Sequence, residues 1–538
     1  MIPAFAHKSI TRVRELLSRA PAQPAGLVER LDPEGVSGWV HRLGTADVEI
    51  VVNGTVVATT FPSQPRLDNG AALDNGFSRT LKDLWKYLGQ GDWIEVRYAG
   101  MALPIKGHGE RWVCDSDNDS RVGKLLEHIG KGRVFNKYGR LRMAMPADDG
   151  YQAWCFETYY ALRDEIAHAI GCDAFAIYGT MLGAVREGDF IGHDNDFDMV
   201  YVSQHSEPEA VKGEFVALCE HLVDAGYWLK PKKTHTWVRR RGTRQKMDIF
   251  FSWFDAKGRF HLSYGYHGEP VSREGFEKRI PYMLAGRRIM LPEAAPAILA
   301  QTFGSGWKVP DPGFKHNSAT RRIDPAYYVD RARLSKLYWK QFYRDNNVTE
   351  GSPFAKFVAG RLPPKCTIIE IGSGTGRDAI FFAEHGHAVF GADRAAEGVE
   401  RAAAAARDGG LQASFQVVDA ADRAQLRAFL DRIAVDGKSV VYMRFFLHSI
   451  PREVQELIFD EISRLPAGFL LALEFRTDQD AHQPKVYGEH YRRYIKPSEV
   501  LHSLSARGFR IEFEEEGTGL SPFGKEDPHL ARILAKKG

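Results

Sequence analysis

The amino-acid sequence predicts a multidomain protein with an N-terminal β-sandwich, a central α+β domain and a C-terminal α/β Rossmann-like domain. Its 538 residues exceed what one hydrophobic core supports. Short alternating runs of apolar and polar residues fill residues 27 to about 106, as in small antiparallel sheets. Glycine-containing turns at 179–180 and 372–376 each follow a short apolar run and precede a helical segment, which indicates two further folded domains.

The N-terminal part is predicted to be an accessory module that carries no convergent catalytic residues. Val52-Asn53-Gly54-Thr55 is a hairpin signal between two of its strands. The module resembles noncatalytic modules attached to bacterial glycan enzymes, which implies a binding or assembly role. The predicted boundaries are 1–26 for an N-terminal helix and linker, 27–108 for the β-sandwich, 109–150 for a helical connector, 151–325 for the central domain and 326–538 for the C-terminal domain.

Composition excludes several classes of protein. The chain has 72 basic and 69 acidic residues, so its charge indicates no general role in nucleic-acid binding. Its five cysteines are scattered and form no C-x-x-C pair, which argues against a disulfide framework or a zinc ribbon. No apolar run approaches eighteen residues. We therefore expect a cytoplasmic protein; peripheral association with the inner face of the membrane and the oligomeric state are left open.

The central domain contains a group of acidic residues that predicts a metal site. Asp194, Asp196 and Asp198 occupy every second position, so on an extended strand their side chains would project from one face. Three like charges repel one another unless a hard divalent cation lies among them. We predict that these residues bind Mg²⁺ or Mn²⁺, which usually shares its coordination shell with substrate phosphates.

Residues around the acidic run complete the predicted site. Gly179 and Thr180 begin a helix whose unpaired N–H groups attract an anion, and Arg186 adds a positive charge, so these three are predicted to bind the phosphate of a donor. Asp248 lies among apolar residues, where an unpaired carboxylate is costly. It is predicted to be a further ligand or a base, which makes Asp196, Asp198 and Asp248 the catalytic set. The alternative is an acidic surface turn.

The run YGTMLGAVREGDFIGHDNDFDMVY, from Tyr178 to Tyr201, resembles the signature of the LicD/fukutin-related family. The later run Phe303–Pro310 resembles the closing element of that family. Two positions depart from the pattern, because His193 stands where tryptophan is usual and Asn195 replaces the middle aspartate. The resemblance implies a nucleotidyltransferase-like fold. It also implies transfer of a phospho-linked group from a CDP-activated donor to a glycan.

The C-terminal domain contains a second, independent binding motif. An apolar strand runs through Glu370 into a glycine-rich turn, and two later strands end near Asp393 and Asp419. Such glycines permit a tight turn and close approach to a ligand, while an acid at the next strand end binds ribose hydroxyls. The predicted cofactor-binding residues are Glu370, Gly372, Gly374, Gly376, Asp393, Asp419 and Ala420. NAD binding and a noncatalytic scaffold are the alternatives, although Arg377 occupies the place of the last glycine of the dinucleotide motif.

The order E-x-G-x-G-x-G, then Asp, then V-D-A resembles the class I S-adenosylmethionine-dependent methyltransferases over residues 326–538. The resemblance implies S-adenosylmethionine (SAM) as the cofactor. Basic residues follow the fourth and fifth strands and indicate an anionic methyl acceptor. The predicted acceptor residues are Arg444, Arg476, Tyr491 and Arg492, with His448 as the candidate base. Alternatively, some of these arginines pair with Glu474, Glu489 or solvent.

Together these motifs predict a bifunctional enzyme that modifies cell-surface glycans. One domain would transfer a phospho-linked group from a nucleotide-activated, CDP-linked donor to a glycan or a lipid-linked glycan. The other would transfer a methyl group from SAM to an anionic acceptor, such as the phosphate. Two alternatives stay open: a noncatalytic scaffold of a glycan-assembly complex, and a nucleotidyltransferase that acts on a small molecule.

Overall fold

The computed structural model describes residues 25–41, 46–68, 71–263, 266–267, 271, 273–314, 324–345, 350–483, 491–522 and 526–538. The predicted N-terminal helix lies outside these residues. The described chain forms two compact units. The first contains residues up to Phe215 together with Thr234–Tyr328, and the second contains Val216–Lys233 together with Val329–Gly538.

The N-terminal module consists of two antiparallel sheets. One has the strand order β1-β2-β6-β5, and the other has β4-β3-β7-β8 with β9 paired to β7. Valine, isoleucine and phenylalanine side chains from both sheets form a single buried cluster. The strands are β1 (Gly26–Asp32), β2 (Gly35–Val40), β3 (Val48–Val52), β4 (Thr55–Thr60), β5 (Gln64–Asp68), β6 (Ala71–Thr80), β7 (Trp93–Tyr98), β8 (Met101–Ala102) and β9 (Trp112–Val113).

The turn between β3 and β4 is the predicted hairpin. Asn53 and Gly54 both have left-handed φ angles, 46° and 87°. This geometry matches the right-handed twist of the flanking strands, and Asn-Gly adopts it at low steric cost. The side chain of Asn53 also donates to Asp92 Oδ1 at 2.7 Å, which attaches the turn to the end of β7.

The connector after the N-terminal module is only partly helical. Helix α1 (Val122–Gly130) is followed by a two-stranded hairpin of β10 (Arg133–Phe135) and β11 (Leu141–Met143). Asn136 Oδ1 accepts from the backbone N–H groups of Tyr138 and Arg140 at 3.0 Å each, which closes the turn. The side chain of an asparagine satisfies turn N–H groups in this way, and the turn brings the two short strands into register.

The central domain is built on a mixed sheet with the order β12-β13-β16-β15, in which β13 and β16 are parallel. Strand β17 pairs with β16 and with β18. The elements are α2 (Asp149–Ile170), β12 (Ala174–Ala176), α3 (Tyr178–Arg186), β13 (Asp198–Val202), α4 (Pro208–Asp224), β14 (Trp228–Pro231), β15 (His235–Arg239), β16 (Met247–Phe254), β17 (Phe260–Leu262), β18 (Tyr266–His267), α5 (Arg273–Glu277), β19 (Arg279–Leu284), β20 (Arg287–Pro292) and α6 (Ala295–Phe303). Strand β14 belongs to the second unit.

The second unit has a Rossmann-like sheet with the order β23-β22-β21-β24-β25-β27-β26. Its first five strands are parallel, and β27 is antiparallel to β25. The elements are α7 (Arg331–Asp345), α8 (Pro353–Ala359), β21 (Thr367–Ile371), α9 (Arg377–Glu384), β22 (Ala388–Asp393), α10 (Ala396–Asp408), β23 (Ala413–Val417), α11 (Arg423–Leu430), β24 (Val440–Arg444), α12 (Arg452–Ser463), β25 (Leu470–Arg476), α13 (Pro497–Ser505), β26 (Phe509–Gly517) and β27 (Leu530–Lys537).

Alternate residues of the central strands contribute to two separate hydrophobic clusters in this unit. Ile369 and Ile371 belong to one cluster, whereas Ile368, which directly precedes Ile369, belongs to the other. Because neighbouring residues of a strand face opposite sides, both faces of the sheet are covered, as is usual for a parallel sheet. Among the helices that the structure describes, none combines the length and the apolar character that crossing a bilayer requires.

Candidate active sites

The first candidate site is formed where β13 and β16 begin. Asp198 and Asp248 are direct neighbours in the parallel register, so their side chains lie next to each other on one face of the sheet. Asp196 precedes Asp198 by two residues in an extended segment, and Phe197 between them is fully buried against Tyr159. Carboxylate oxygens of Asp196, Asp198 and Asp248 all lie within 4.8 Å of one another.

The charge and burial of these carboxylates fit a divalent cation. Asp248 is 6% exposed, and its buried Oδ1 has no hydrogen-bond partner among the residues that the structure describes. Burial raises the pKa of Asp248 to about 6. Burial, reinforced by the charges of Asp196 and Asp248, raises the pKa of Asp198 well above its usual range. A buried, unpaired oxygen in a set of mutually repelling carboxylates is what a hard metal ion compensates, so the residues present fit Mg²⁺ or Mn²⁺.

Asp194, which the sequence pattern placed among the metal ligands, lies outside this group. Strand β13 begins only at Asp198, so it does not extend back to Asp194. Its carboxylate instead approaches the start of α3, where a Cβ on Gly179 would come within 2.1 Å of Asp194 Oδ2. A carboxylate at a helix N-terminus is favoured by the helix dipole. The predicted anion site at Gly179 is thus occupied by a side chain of the same domain.

The three residues predicted to bind donor phosphate do not converge. Thr180 is buried, and its Oγ1 accepts from the backbone N–H of Asp198 at 3.1 Å, which anchors the start of β13. Arg186 lies at the opposite end of α3 from Gly179, about 10 Å away at 1.5 Å per residue. Its guanidinium is bound to Glu187 at 2.6 Å and to the carbonyl of Trp307 at 3.1 Å.

Two lysines that the sequence analysis did not single out contact the carboxylates directly. Lys137 Nζ lies 3.2 Å from Asp194 Oδ1 and 2.9 Å from Asp196 Oδ1. Lys246 Nζ lies 3.2 Å from Asp248 Oδ2. Lys246 precedes Asp248 by two residues on a strand, so strand alternation alone predicts it on the same face. Lys137 is more than fifty residues away in sequence, and no local signal indicates its position.

The second candidate site surrounds the glycine-rich turn after β21. Gly372 and Gly374 have left-handed φ angles of 83° and 54°, which favour glycine. A Cβ on Gly372 would lie 2.3 Å from the ring of Phe446, and one on Gly374 would lie 2.9 Å from Tyr343. The turn therefore requires glycine at both positions for steric as well as conformational reasons. Gly376 instead begins α9 and packs against Ala402.

The predicted acids stabilise the turn and face a cavity. Asp393 accepts from the backbone N–H of Gly374 and of Ala395, each at 2.9 Å. Glu370 is buried, and its Oε2 has no hydrogen-bond partner, so burial, reinforced by the charge of Asp378, raises its pKa well above the usual range. An orphaned buried oxygen of this kind fits a bound polar cofactor. The cavity measures about 520 Å³, and six of the seven predicted cofactor residues line it, namely Glu370, Gly372, Gly374, Asp393, Asp419 and Ala420.

All the predicted acceptor residues line the same cavity, but two of the three arginines are paired with carboxylates. Arg444 Nε donates to Glu474 Oε1 at 3.1 Å. Arg476 donates to Asp480 at 2.9 Å and to Glu526 at 2.6 Å. These carboxylates neutralise much of the positive charge that the sequence pattern placed on the acceptor side. The other predicted partner, Glu489, lies outside the described residues.

His448 is hydrogen-bonded in a way that bears on its predicted role as a base. It is buried, and its Nδ1 accepts from the backbone N–H of Arg476 at 3.3 Å. In a neutral imidazole with an accepting Nδ1, the proton resides on Nε2. The side chain is therefore arranged as a hydrogen-bond donor through Nε2, and the geometry does not favour it as a base.

Helix α7 supplies an aromatic wall to the cavity. Tyr338, Trp339, Phe342 and Tyr343 all line it, and successive rings are in edge or stacked contact. Aromatic faces suit a flat, largely apolar ligand group and exclude water from the cavity.

Gly372→Ala is expected to weaken SAM binding by about 1–3 kcal/mol, or roughly 5- to 150-fold, because the added Cβ displaces Phe446 from the cavity wall. The dissociation constant is measured by calorimetry on the full chain. Gly386→Ala is the matched control: Gly386 has the same φ of 83°, but no atom lies within 4 Å of its Cβ position. Equal losses of SAM affinity in both variants would mean that backbone strain alone is responsible.

The two sites correspond to two families. Residues 171–292 match the family model described as "LicD/FKTN/FKRP, nucleotidyltransferase domain", and residues 368–466 match the one described as "Methyltransferase domain". The first match includes the three clustered aspartates, and the second includes the glycine-rich turn. The chain is therefore a transferase. It contains a LicD domain and, after it, a SAM-dependent methyltransferase domain.

Several solved structures are similar to the C-terminal part. A SAM-dependent methyltransferase from Methanosarcina mazei is 20% identical, with 34% of this chain and 96% of that chain covered and a TM-score of 0.28. One from Anabaena variabilis is 19% identical, with 38% and 95% covered and a TM-score of 0.32. A magnesium protoporphyrin IX methyltransferase from Synechocystis, with bound SAM, is 18% identical, with 39% and 82% covered and a TM-score of 0.26. The family assignment rests on the family models alone. Among proteins with curated functions, none matches the chain.

Proposed function

We propose that this chain is a bifunctional enzyme of cell-surface glycan modification. The LicD domain, with a nucleotidyltransferase-type fold, transfers a phospho-linked group from a CDP-linked donor to a glycan or lipid-linked glycan, with Mg²⁺ or Mn²⁺. The methyltransferase domain transfers a methyl group from SAM to an anionic acceptor, such as the phosphate just installed. The N-terminal β-sandwich serves as an accessory module.

The observation that carries the proposal is the convergence of Asp196, Asp198 and Asp248 around the unpaired Oδ1 of Asp248. These three residues would hold the ion, which when bound offsets the negative charge that develops on the transferred phosphoryl group. Thr180 keeps Asp198 in place through its hydrogen bond to the backbone N–H. Lys246 holds Asp248 Oδ2 and leaves Oδ1 available. Catalysis of this kind depends mainly on positioning and electrostatics.

In the methyltransferase domain, the side chains that line the cavity bind and orient the reactants. Asp393 stabilises the glycine-rich turn, and the aromatic wall of α7 keeps water away from the cofactor. SAM, when bound, supplies an electrophilic methyl group on its sulfonium. Arg444, Arg476 and Arg492 line the cavity and would donate hydrogen bonds to an anionic acceptor, and carboxylates already neutralise part of the charge of Arg444 and Arg476.

The transferase reaction is tested with the full chain, a glycan acceptor and a CDP-linked donor. The glycan hydroxyl attacks the phosphate that bears the transferred group, the bond between the two donor phosphates breaks, CMP leaves, and the hydroxyl proton passes to a base. We expect CMP release that depends on both Mg²⁺ and the glycan. Release of diphosphate from CTP with a small-molecule acceptor would instead favour a nucleotidyltransferase. Absence of binding to both CDP–Mg²⁺ and SAM in calorimetry would favour a scaffold.

His448→Ala is expected to weaken acceptor binding and leave the methyl-transfer step itself nearly unchanged, since a phosphate that is ionised at pH 7 needs no base. Loss of one hydrogen-bond donor raises the KM for the acceptor roughly ten- to thirtyfold. Single-turnover rates at saturating acceptor test this. A fall of several orders of magnitude in that rate would show that His448 acts in the chemical step and would contradict the phosphate version of the proposal.

A further inference from the structure

Lys137 is the feature of the LicD-domain site that the proposed reaction does not yet explain. It lies on the turn of the connector hairpin β10–β11, before the LicD domain begins in sequence. Its Nζ nevertheless contacts Asp194 Oδ1 at 3.2 Å and both oxygens of Asp196 at 2.9 and 3.0 Å. Asp196 is also one of the three clustered carboxylates, so the ammonium group lies immediately beside the predicted metal position.

The hairpin that carries Lys137 is fixed to the N-terminal module. Arg79, a buried residue of β6, donates to the carbonyl of Phe135, and Asp83 Oδ2 accepts from the backbone N–H of Leu141 at 3.0 Å. Gly139 approaches the end of β6 so closely that a Cβ would lie 2.5 Å from the backbone nitrogen of Lys82. A side chain on such a supported turn is held in a defined position, as functional groups require.

The site carries more negative than positive charge before an ion binds. The four aspartates in or next to the cluster carry four negative charges when ionised, and Lys137 and Lys246 carry two positive charges. The diphosphate of the donor would add further negative charge, so an ammonium group beside the carboxylates favours its entry into the pocket.

The side chain of Lys137 is also accessible to a ligand. It is 40% exposed, whereas the side chains of Asp194 and Asp196 are each 15% exposed, so part of the Lys137 side chain reaches solvent. An ammonium group has three donors. When a divalent ion takes over the charge of Asp196, those donors become available to an anion that enters the pocket.

We infer that Lys137 is a substrate-binding residue of the LicD-domain site: it donates hydrogen bonds to the diphosphate of the nucleotide-activated donor. This inference rests on the proposed function. It means that the N-terminal part of the chain, through its connector hairpin, contributes a substrate-binding residue to the central site. The competing explanation is a purely structural ion pair that fastens the hairpin to the LicD domain.

The test compares Lys137→Gln with wild type in the full chain, using Mn²⁺ alone and then CDP at saturating Mn²⁺ as the probes. Removal of the ammonium group leaves the carboxylates more negative, so we expect tighter Mn²⁺ binding. CDP should bind roughly ten- to hundredfold more weakly, the effect of losing a charge-assisted hydrogen bond to phosphate. Lys137→Arg, which keeps the charge, should retain CDP affinity within a few fold. Lys131→Gln is the control, because Lys131 is paired only to Glu127 on the surface of the same connector.

Tighter binding of Mn²⁺ together with weaker binding of CDP supports the inference, since loss of a purely structural ion pair would not weaken CDP binding in this selective way. Weaker binding of both ligands, or unchanged CDP affinity, would overturn it. A wild-type chain that binds neither Mn²⁺ nor CDP would defeat the proposed function itself, and this outcome is distinct from the others.

Discussion

Asp198→Asn is expected to abolish divalent-cation binding at the LicD-domain site and to lower the transfer rate by about 10³-fold or more, since a bound metal ion contributes several kcal/mol of charge stabilisation. Asp198 is the middle member of the group, because it neighbours Asp248 in the sheet and follows Asp196 along the chain. Asparagine has almost the same shape, so the backbone hydrogen bond to Thr180 stays in place. Calorimetry with Mn²⁺ measures binding, and CMP release measures transfer.

Asp198→Asn is also expected to change the stability of the protein. Without metal, three carboxylates repel one another, so removing one charge should raise the free energy of unfolding while the stabilisation by added Mn²⁺ is lost. Asp194→Asn is the matched control, because Asp194 is adjacent but outside the group. We expect its Mn²⁺ affinity to stay within a few fold of wild type. Equal loss of binding in both variants would show that Asp194 is a ligand, as the alternating pattern alone suggested.

The part of this site that the sequence predicted is the part determined by local geometry. Alternation along an extended chain placed Asp196 and Asp198 on one face, and a single carboxylate among apolar residues pointed to Asp248. The same alternation also predicts a ligand role for Asp194, but Asp194 lies before the start of β13 and outside the cluster of Asp196, Asp198 and Asp248. Lys137 could not be predicted, because its contact depends on how the connector hairpin packs onto a domain that follows it in sequence.

In the methyltransferase domain, the residues predicted to bind the cofactor could be identified from the sequence. The surroundings of the arginines predicted to bind the acceptor could be foreseen only in part. Glu370, Asp393 and Asp419 lie at or just after carboxyl ends of parallel strands, which meet at one edge of the sheet. Whether an arginine is free or paired depends on side chains brought in by distant segments. Glu474 was foreseen as an alternative partner, but Glu526, which binds Arg476, lies fifty residues away in sequence.

Glu474→Gln is expected to destabilise the methyltransferase domain by about 3–5 kcal/mol, the cost of leaving buried positive charge without its partner. Glu474 is fully buried, and its carboxylate accepts from Arg444 at 3.1 Å, from Arg532 at 2.9 Å and from Ser521 at 3.0 Å. Glutamine fills the same space but carries no charge. Calorimetric unfolding of the full chain measures the effect, in the transition that SAM shifts to higher temperature.

Glu515→Gln provides the control for this loss, since Glu515 contacts the same arginine, Arg532, at 3.7 Å but is 42% exposed. Solvent screens such a pair, so its removal should cost at most about 1 kcal/mol. Similar losses in the two variants would mean that burial of Glu474 contributes nothing.

The Glu474→Gln variant also tests the acceptor. Loss of the Glu474 charge leaves Arg444 less fully neutralised, with Asp378 at 3.9 Å, so inorganic phosphate should bind the cavity more tightly. Unchanged phosphate affinity would mean that Arg444 does not contact an anionic methyl acceptor.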